Sequence, residues 1–387
     1  MKKHSKTALS VCLCLILLIA FCGCVDKGEK EARDREETLE ENALMCTRFG
    51  QNGVYHDGVL YFVFPTVQTL YYSVLDDGEN GPLCSKAECT HDSDDCSARL
   101  HSITDPHLML YNGRLFFTDQ DHDGWTLVSV TPGSADRRSH AAFAFEAFAG
   151  MYGSFSATYN DTLYFCGSRE GVAGGEPFKQ IEIYSQSLSG GNMELLYDTQ
   201  ALANTHFVVK EHGRTICFAQ SGKDSLILNA FDMADRSVET LYDGTAPDIY
   251  NEMIIDDDRI VFQGFNSIAE LDLTNGEWKE LYRTEQDISV FSGKYVLIFT
   301  GMTSYRCDGL DGRTIAEGTV SAEGFDSMMY EKTPIGCIDE KMFIFAHAMD
   351  GHSESFLLSY DPETDLFEVV CTTKRSNGRP KDETMIF

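Results

Sequence analysis

Short hydrophobic strands recur along this chain, and each follows a short polar turn. The two clearest copies are residues 57–62 (DGVLYF) and 112–117 (NGRLFF). Weaker copies begin at Asn160, His212, Asp257, Ser292 and Asp339. Successive copies start 35 to 55 residues apart, which brackets the roughly 40 to 50 residues of a four-stranded propeller blade. The pattern predicts an all-β fold, a single β-propeller of about seven four-stranded blades, with six or eight as alternatives.

Each repeated strand is followed by segments that alternate polar and apolar residues around a turn, which is typical of a β-hairpin. The clearest hairpins are predicted over residues 181–197, 226–242, 268–282 and 356–371. The repeated strands are continuously apolar, as expected for blade interiors that pack on both sides. Cys166 and Cys217 lie in such strands and are predicted to be small buried hydrophobic residues. The propeller is predicted to span residues 46–387.

The N-terminus has the three parts of a secretion signal over residues 1–23: a basic start, an apolar run and a small residue. The apolar run, residues 8–21, is shorter than the roughly 20 residues that a membrane-spanning helix needs. The sequence Phe-Cys-Gly-Cys ending at Cys24 resembles the lipobox of bacterial lipoproteins, with Phe21 where Leu is usual. This resemblance implies that Cys24 carries lipid; the alternative is an ordinary cleaved signal with Cys24 incidental. The charged residues 24–45 are predicted to form a solvated tether.

The charge of the chain excludes nucleic acid as a partner. The formal net charge is −30, and removal of residues 1–23, which contain three lysines and no acidic residue, takes it to −33. Such a surface repels phosphate backbones and favours solubility. The predicted partner of the N-terminus is instead the membrane, through the lipid anchor, on the extracytoplasmic face of the cell membrane.

The densest cluster of metal-binding residue types follows the first repeat, where it is expected to replace the outer segment of the first blade. Cys84, Cys89, His91 and Cys96 form the pattern C-x4-C-x-H-x4-C. Three thiolates and one imidazole can complete a closed tetrahedral zinc site. The alternatives are a disulfide between two of the cysteines, which an oxidising exterior permits, and free thiols.

A second cluster, in the second repeat, has the sequence Asp119-Gln-Asp121-His-Asp123-Gly124. Alternating carboxylates followed by glycine resemble the first half of a calcium loop. The flanking segments are predicted strands, and Val130 stands where the helix-loop-helix motif has Glu. Calcium bound by Asp119, Asp121 and Asp123 is therefore one prediction, and an acidic hairpin turn is the alternative.

The lipobox-like motif, the charged tether and the repeated strand together resemble the exported propeller lipoproteins of Gram-positive anaerobic bacteria, whose functions are largely unknown. The resemblance spans nearly the whole mature chain, and the same Cys-x4-Cys-Thr-His-Asp element recurs in that group. The sequence has no nucleophile elbow, zinc-protease, Walker or dinucleotide motif. A binding or scaffolding module for a glycan, a peptide or an envelope protein is therefore favoured over an enzyme. The alternatives are a surface enzyme that acts on polysaccharide through carboxylates in the central funnel, and a metal-binding envelope protein.

Overall fold

The structure is a computed structural model. It describes residues 47–49, 53–64, 67–86, 89–91, 93, 96–101, 108–121, 124–134, 136–143, 151–173, 176–189, 191–199, 206–222, 224–256, 258–348 and 354–373. The predicted signal segment, Cys24 and the tether lie outside these residues. All of the described strands belong to one compact unit, Cys46–Phe387. No helix in the described part of the chain is long and apolar enough to cross a bilayer.

Seven antiparallel sheets follow one another along the chain and form the seven blades of a β-propeller, which confirms the predicted fold. Blade 1 contains β1 (Thr47–Phe49), β2 (Gly53–His56), β3 (Val59–Val63), β4 (Leu70–Val74) and β5 (Asn80–Pro82). Blade 2 contains β6 (Met109–Tyr111), β7 (Arg114–Asp121), β8 (Gly124–Val130) and β9 (Arg137–Phe143). Blade 3 contains β10 (Met151–Tyr159), β11 (Thr162–Ala173), β12 (Glu176–Ser187) and β13 (Glu194–Asp198).

The remaining blades repeat the same four-stranded meander. Blade 4 contains β14 (His206–His212), β15 (Thr215–Ser221), β16 (Leu226–Asp232) and β17 (Ser237–Gly244). Blade 5 contains β18 (Tyr250–Asp256), β19 (Arg259–Gly264), β20 (Ser267–Asp272) and β21 (Glu277–Arg283). Blade 6 contains β22 (Val290–Phe291), β23 (Tyr295–Phe299), β24 (Ser304–Gly309) and β25 (Thr314–Thr319). A 3₁₀ turn, Ser327–Met329, precedes blade 7, which contains β26 (Tyr330–Ile338), β27 (Lys341–Ala348), β28 (Ser355–Asp361) and β29 (Leu366–Thr373).

The polar turns of the repeat join the first and second strands of the blade meanders. In blade 1, Asp57 and Gly58 have φ values of 49° and 78°, and in blade 2, Asn112 and Gly113 have values of 48° and 70°. Two consecutive positive φ values are those of a type I′ turn, whose twist matches that of the flanking strands. Asn, Asp and Gly tolerate this conformation best, which explains why the turn sequence recurs.

Burial follows the predicted division between inner and outer strands. All but the first residue of β15 are buried, whereas every residue of the outer strand β17 is at least partly exposed. Cys166 and Cys217 lie in second strands and are buried, as predicted. One expectation is wrong: the cysteine cluster does not replace the outer strand of blade 1. The three-residue β5 forms that strand, pairing with β4, and the cluster follows it.

Seven buried hydrophobic clusters hold the blades together, one at each junction between neighbouring blades. Blades 1 and 7, which hold the two ends of the ring, exchange no strand in the described sheets. Their junction is instead made by side chains. Phe345 of blade 7 packs on Phe62 and Phe64 of blade 1, with ring centroids 6.0 and 5.2 Å apart, and Asn80 donates a hydrogen bond to the Val370 carbonyl.

The meander topology gives the ring two different faces. In each blade meander, the connection between the first and second strands and the connection between the third and fourth strands lie on the same face of the ring. We call this the hairpin face; the turn at Asp57 lies on it. The opposite face, the loop face, carries the second-to-third connections and the links between blades, including the described residues between β5 and β6. First strands of neighbouring blades contact each other and line the centre, where β1 lies beside β2 and contacts β26. Because Thr47 pairs with Tyr55, near the turn at Asp57, the chain enters the ring on the hairpin face.

Candidate functional site

The link between blades 1 and 2 folds back on blade 1 at both of its ends. At its start, Leu83 donates its backbone N–H to the Leu70 carbonyl, and towards its end the Ala98 carbonyl accepts a hydrogen bond from the Leu70 N–H, both at 2.8 Å. Leu83, Ala98 and Leu100 are buried at the junction of blades 1 and 2. The chain between these anchors is therefore held as a closed loop on the edge of β4.

Tight turns bring the four predicted ligands together within this loop. Cys84 donates its N–H to the Pro82 carbonyl at 2.7 Å, Cys89 donates to Lys86 at 3.2 Å, and Cys96 donates to Ser93 at 3.0 Å. His91 has a φ of 61°, in the left-handed region. Cys84 and Cys89 are partly buried and Cys96 is fully buried.

The side-chain geometry of this cluster fits a single tetrahedral ion. The ligand atoms of Cys84, Cys89, His91 and Cys96 all lie within 4.8 Å of one another, and His91 Nδ1 is 3.4 Å from Cys96 Sγ. With Zn–S near 2.3 Å and Zn–N near 2.0–2.1 Å, a tetrahedron has S···S edges of about 3.8 Å and S···N edges of about 3.6 Å. All described cysteines, including these three, carry free thiols. The cluster can therefore bind a metal ion.

The thiols do not share one ionisation behaviour. Burial, the largest influence at Cys96, and the neighbouring sulfurs raise the pKa of that thiol. Burial also opposes ionisation of Cys84, but the backbone N–H of Lys86 and the side chains of Cys96, Cys89 and Ser97 outweigh it, and the pKa of Cys84 is lowered. Ionisation is therefore easier at Cys84 than at Cys96, and a cation is needed to hold three thiolates at one point.

The acidic segment predicted to bind calcium spans the hairpin between β7 and β8. Asp121 pairs with Gly124, and both residues lie at the loop-face ends of their strands. The Asp119 carboxylate is buried and accepts hydrogen bonds from the backbone N–H and Nδ1 of His101, each at 2.7 Å, and from Arg137 at 2.6 Å. The Asp121 and Asp123 side chains lie outside the described residues, so the calcium site stays a prediction.

Arg137 is a residue that the sequence patterns did not single out. Its guanidinium donates to the carbonyls of Ser97 and Arg99, in the segment that follows Cys96, as well as to Asp119. It also lies over the Phe117 ring, with Cζ 5.4 Å from the ring centroid. A basic residue in an outer strand is usually exposed to solvent, so the sequence gives no signal that Arg137 binds the loop carbonyls and Asp119.

Carboxylates are present on the innermost strands, where the polysaccharide-enzyme alternative would need them. Two of them have basic partners: Glu252 is 3.4 Å from Lys210, and Glu331 is 3.4 Å from His347. Both carboxylates are exposed, so these pairs provide no buried acid of the kind that protonates a leaving group.

Exposed methionines lie on the loop face near blades 6 and 7. Met302, in the β23–β24 connection, is 55% exposed, and Met328 and Met329, in the link to blade 7, are 67% and 50% exposed. Lys332 joins these two connections, because its ammonium donates to the carbonyls of Met302 and Ser327. The three methionines are therefore held on neighbouring connections of one face.

No protein-family model matches the chain, and no curated protein matches it either. Solved structures are similar to it at low identity. The AfRom2 CNH domain is 9% identical, with 82% of this chain and 96% of that chain covered and a TM-score of 0.45. A chain of the nidogen/laminin complex is 12% identical over 68% and 94% of the two chains, with a TM-score of 0.40. TolB from Acinetobacter baumannii is 16% identical over 66% and 62%, with a TM-score of 0.39. At these values the likenesses indicate no function.

Proposed function

We propose that this chain is an extracytoplasmic lipoprotein, anchored through Cys24, whose propeller binds a protein partner on its loop face and holds a structural zinc ion there. The observation that carries the proposal is the separation of the two faces. The chain enters the ring at Thr47 on the hairpin face, whereas the cysteine cluster and the exposed methionines lie on the loop face. In this proposal the loop face is the one that points away from the membrane.

The partner that suits this face is a protein segment with both apolar and basic side chains. Met302, Met328 and Met329 offer flexible apolar side chains, which adapt to irregular surfaces. Glu323 and Asp326 precede the latter two and are exposed, and the whole chain is strongly acidic. Complementary charge speeds the encounter of partners and selects among them. A glycan, which offers mostly hydroxyl groups, makes little use of methionine side chains.

Zinc is the metal that best suits the cluster. Three cysteines and one histidine in a closed tetrahedron form a structural zinc site, with no position left for a substrate. Calcium and magnesium prefer oxygen ligands and are excluded from such a set. Zinc would cross-link the loop at Cys84, Cys89, His91 and Cys96.

Photo-crosslinking in intact cells tests the binding face. A photo-reactive amino acid at Met302 or at Met328 is expected to yield the same discrete protein adduct. Leu366 is the matched control, because it is also 55% exposed but lies in an outer strand next to a hairpin-face turn. Equal labelling at Leu366, or no adduct at either methionine, would contradict a partner-binding loop face.

Fractionation tests the anchor. The unmodified chain is expected in the membrane fraction, and Cys24→Ala is expected to lose it, because a lipid chain contributes about 0.8 kcal/mol per buried CH₂ group to membrane binding. Labelling with a radioactive fatty acid should disappear in the same variant. A chain that stays in the membrane without label would show that Cys24 is not the anchor.

Elemental analysis tests the metal. The purified full chain is expected to contain about one zinc ion, and Cys89→Ser and His91→Ala to contain much less. Cys337→Ala is the matched control, since it removes a partly buried thiol in blade 7, far from the cluster in the chain. Mass spectrometry that finds a disulfide among the three cysteines, with no zinc, would refute the metal site and support the disulfide.

A further inference from the structure

We infer that Asp119 and Arg137, in blade 2, are positioning residues for the metal cluster that follows blade 1. This inference rests on the proposed zinc site and adds to it a support on the neighbouring blade. The geometry shows how the support works: a buried carboxylate holds a guanidinium, and the guanidinium holds the backbone beside a ligand cysteine.

The first step is the contact between Arg137 and the segment after Cys96. One nitrogen of its guanidinium donates to the Ser97 carbonyl at 3.5 Å and to the Arg99 carbonyl. Ser97 also donates its hydroxyl to the Leu83 carbonyl at 3.4 Å, and Leu83 precedes Cys84. Arg137 is thus connected to the backbone next to the first and the last cysteine of the cluster.

The second step is the orientation of Arg137 itself. Its other terminal nitrogen donates to Asp119 at 2.6 Å, and the Asp119 side chain is only 3% exposed. The same carboxylate accepts two hydrogen bonds from His101, at the end of the loop segment. A carboxylate with this many donors has one orientation, and it fixes both the guanidinium and the end of the loop.

The third step is the consequence for metal affinity. A tetrahedral ion requires its ligands at defined positions, and groups that orient the ligands raise affinity without touching the ion; their loss typically lowers metal affinity about 10- to 100-fold. Without Asp119, Arg137 loses its partner, and the Ser97 carbonyl loses a fixed donor. The backbone next to Cys96 would then be held less firmly before the metal binds, which weakens binding.

A purely architectural role is the alternative, and the chain offers a matched control for it. Asp308 in blade 6 is also 3% exposed; it accepts hydrogen bonds from Tyr282 at 2.5 Å and from Arg306 at 3.0 Å. Its ion pair with Arg306 lies within blade 6, as the Asp119–Arg137 pair lies within blade 2, and Tyr282 reaches it from blade 5. No cysteine loop lies at that junction, so Asp308→Asn reports the cost of a lost buried ion pair alone.

The test compares the zinc affinity of the full-length Asp119→Asn, Arg137→Lys and Asp308→Asn chains, measured by competition with a chromophoric chelator under reducing conditions. We expect the zinc Kd to rise about 10- to 100-fold in Asp119→Asn. A smaller rise is expected in Arg137→Lys, because an ammonium keeps the charge but lacks the planar fork that reaches the carbonyls and Asp119 together. Asp308→Asn should stay within about twofold of the unmodified chain.

A second readout does not need zinc. In the metal-free chain, alkylation of the buried Cys96 is expected to be about tenfold faster in Asp119→Asn than in Asp308→Asn. The rates are measured by mass spectrometry, with urea added so that the two variants have the same melting temperature. If Asp119→Asn proves too unstable for metal titration, Arg137→Lys replaces it in this alkylation measurement.

The outcomes separate the two proposals. A zinc Kd in Asp119→Asn within twofold of the unmodified chain overturns the positioning role and leaves the zinc site intact. Equal rises in Asp119→Asn and Asp308→Asn also overturn it, because the effect would then follow general stability. An unmodified chain that binds no zinc overturns both the metal site and its support.

Discussion

Removal of the Phe345 side chain should open the ring at one junction. Phe345 is 1% exposed and packs on Phe62 and Phe64 between blades 7 and 1. Burial of a phenylalanine side chain is worth about 1.5–3 kcal/mol, and the unfilled cavity brings the loss for Phe→Ala to about 3–5 kcal/mol. Since the described blades 1 and 7 share no strand, this loss falls on the packing that closes the ring.

The size of the expected signal follows from that energy. Every 1.4 kcal/mol changes an equilibrium tenfold, so that separation of blades 1 and 7 should become roughly a hundred to several thousand times more frequent. Amides that exchange only when this junction opens should be accelerated by the same factor, until exchange through global unfolding takes over. Hydrogen exchange followed by mass spectrometry therefore measures the effect blade by blade.

Phe218→Ala is the matched control, because Phe218 is also fully buried and packs at the junction of blades 3 and 4. Both variants should lose similar stability in urea unfolding. In Phe218→Ala the neighbouring blades stay joined by the chain, so that the faster exchange should be confined to blades 3 and 4. The reasoning is refuted if Phe345→Ala accelerates exchange in blades 1 and 7 no more than in the rest of the ring.

Two further predictions concern polar groups at blade edges. Burial, together with two neighbouring arginines, lowers the pKa of His140 below its usual value near 6.5. As the pH falls, the unfolded chain therefore takes up this proton before the folded chain does. The contribution of neutral His140 to stability is complete above pH 6.5 and is lost as the pH falls below it. Urea unfolding at pH 7.5 and 5.5 should show this loss, and His140→Gln should reduce it; an unchanged pH dependence would contradict the assignment. Asp365 accepts hydrogen bonds from Tyr305 of blade 6 and Tyr360 of blade 7, so that Asp365→Ala should cost about 1–3 kcal/mol. A thermal melt within 1 °C of the unmodified chain would show that these bonds contribute nothing.

The repeat could be predicted from the sequence because its signal is local. A two-residue turn with positive φ, such as Asn112-Gly113, demands particular residues wherever it occurs, and the apolar strand after it marks a blade interior. The convergence of Cys84, Cys89, His91 and Cys96 was also predictable, since all four lie within 13 residues.

The rest of the site depends on contacts between residues far apart in the chain. Asp119 has the sequence context of a calcium ligand, yet its carboxylate is turned towards His101 and Arg137, which are 18 residues away on either side. Ring closure through Phe345 and Phe62 joins residues 283 positions apart. No local pattern encodes either contact, because both exist only when the blades are assembled.

The length of β5 explains why a cysteine loop stands at this one junction. The outer strands of blades 2 to 7 have five to eight residues, whereas β5 has three. A strand this short covers little of the apolar surface between blades 1 and 2, and Leu83, Cys96, Ala98 and Leu100 of the loop are buried there in its place.

Beyond this short strand, the described residues of the loop form no strand that pairs with β4. The described residues of this link are joined to blade 1 by backbone hydrogen bonds of Leu70 and of the residues next to it. Other contacts must therefore order the rest of the link. The proposed metal cross-link within the loop would supply that order, and Arg137 of blade 2, held by Asp119, adds hydrogen bonds to the loop carbonyls independently of the metal. Loss of the metal should therefore loosen the junction of blades 1 and 2 before any other, and hydrogen exchange after chelation should rise first in residues 96–101; a uniform rise around the ring would show that the loop is not what holds this junction.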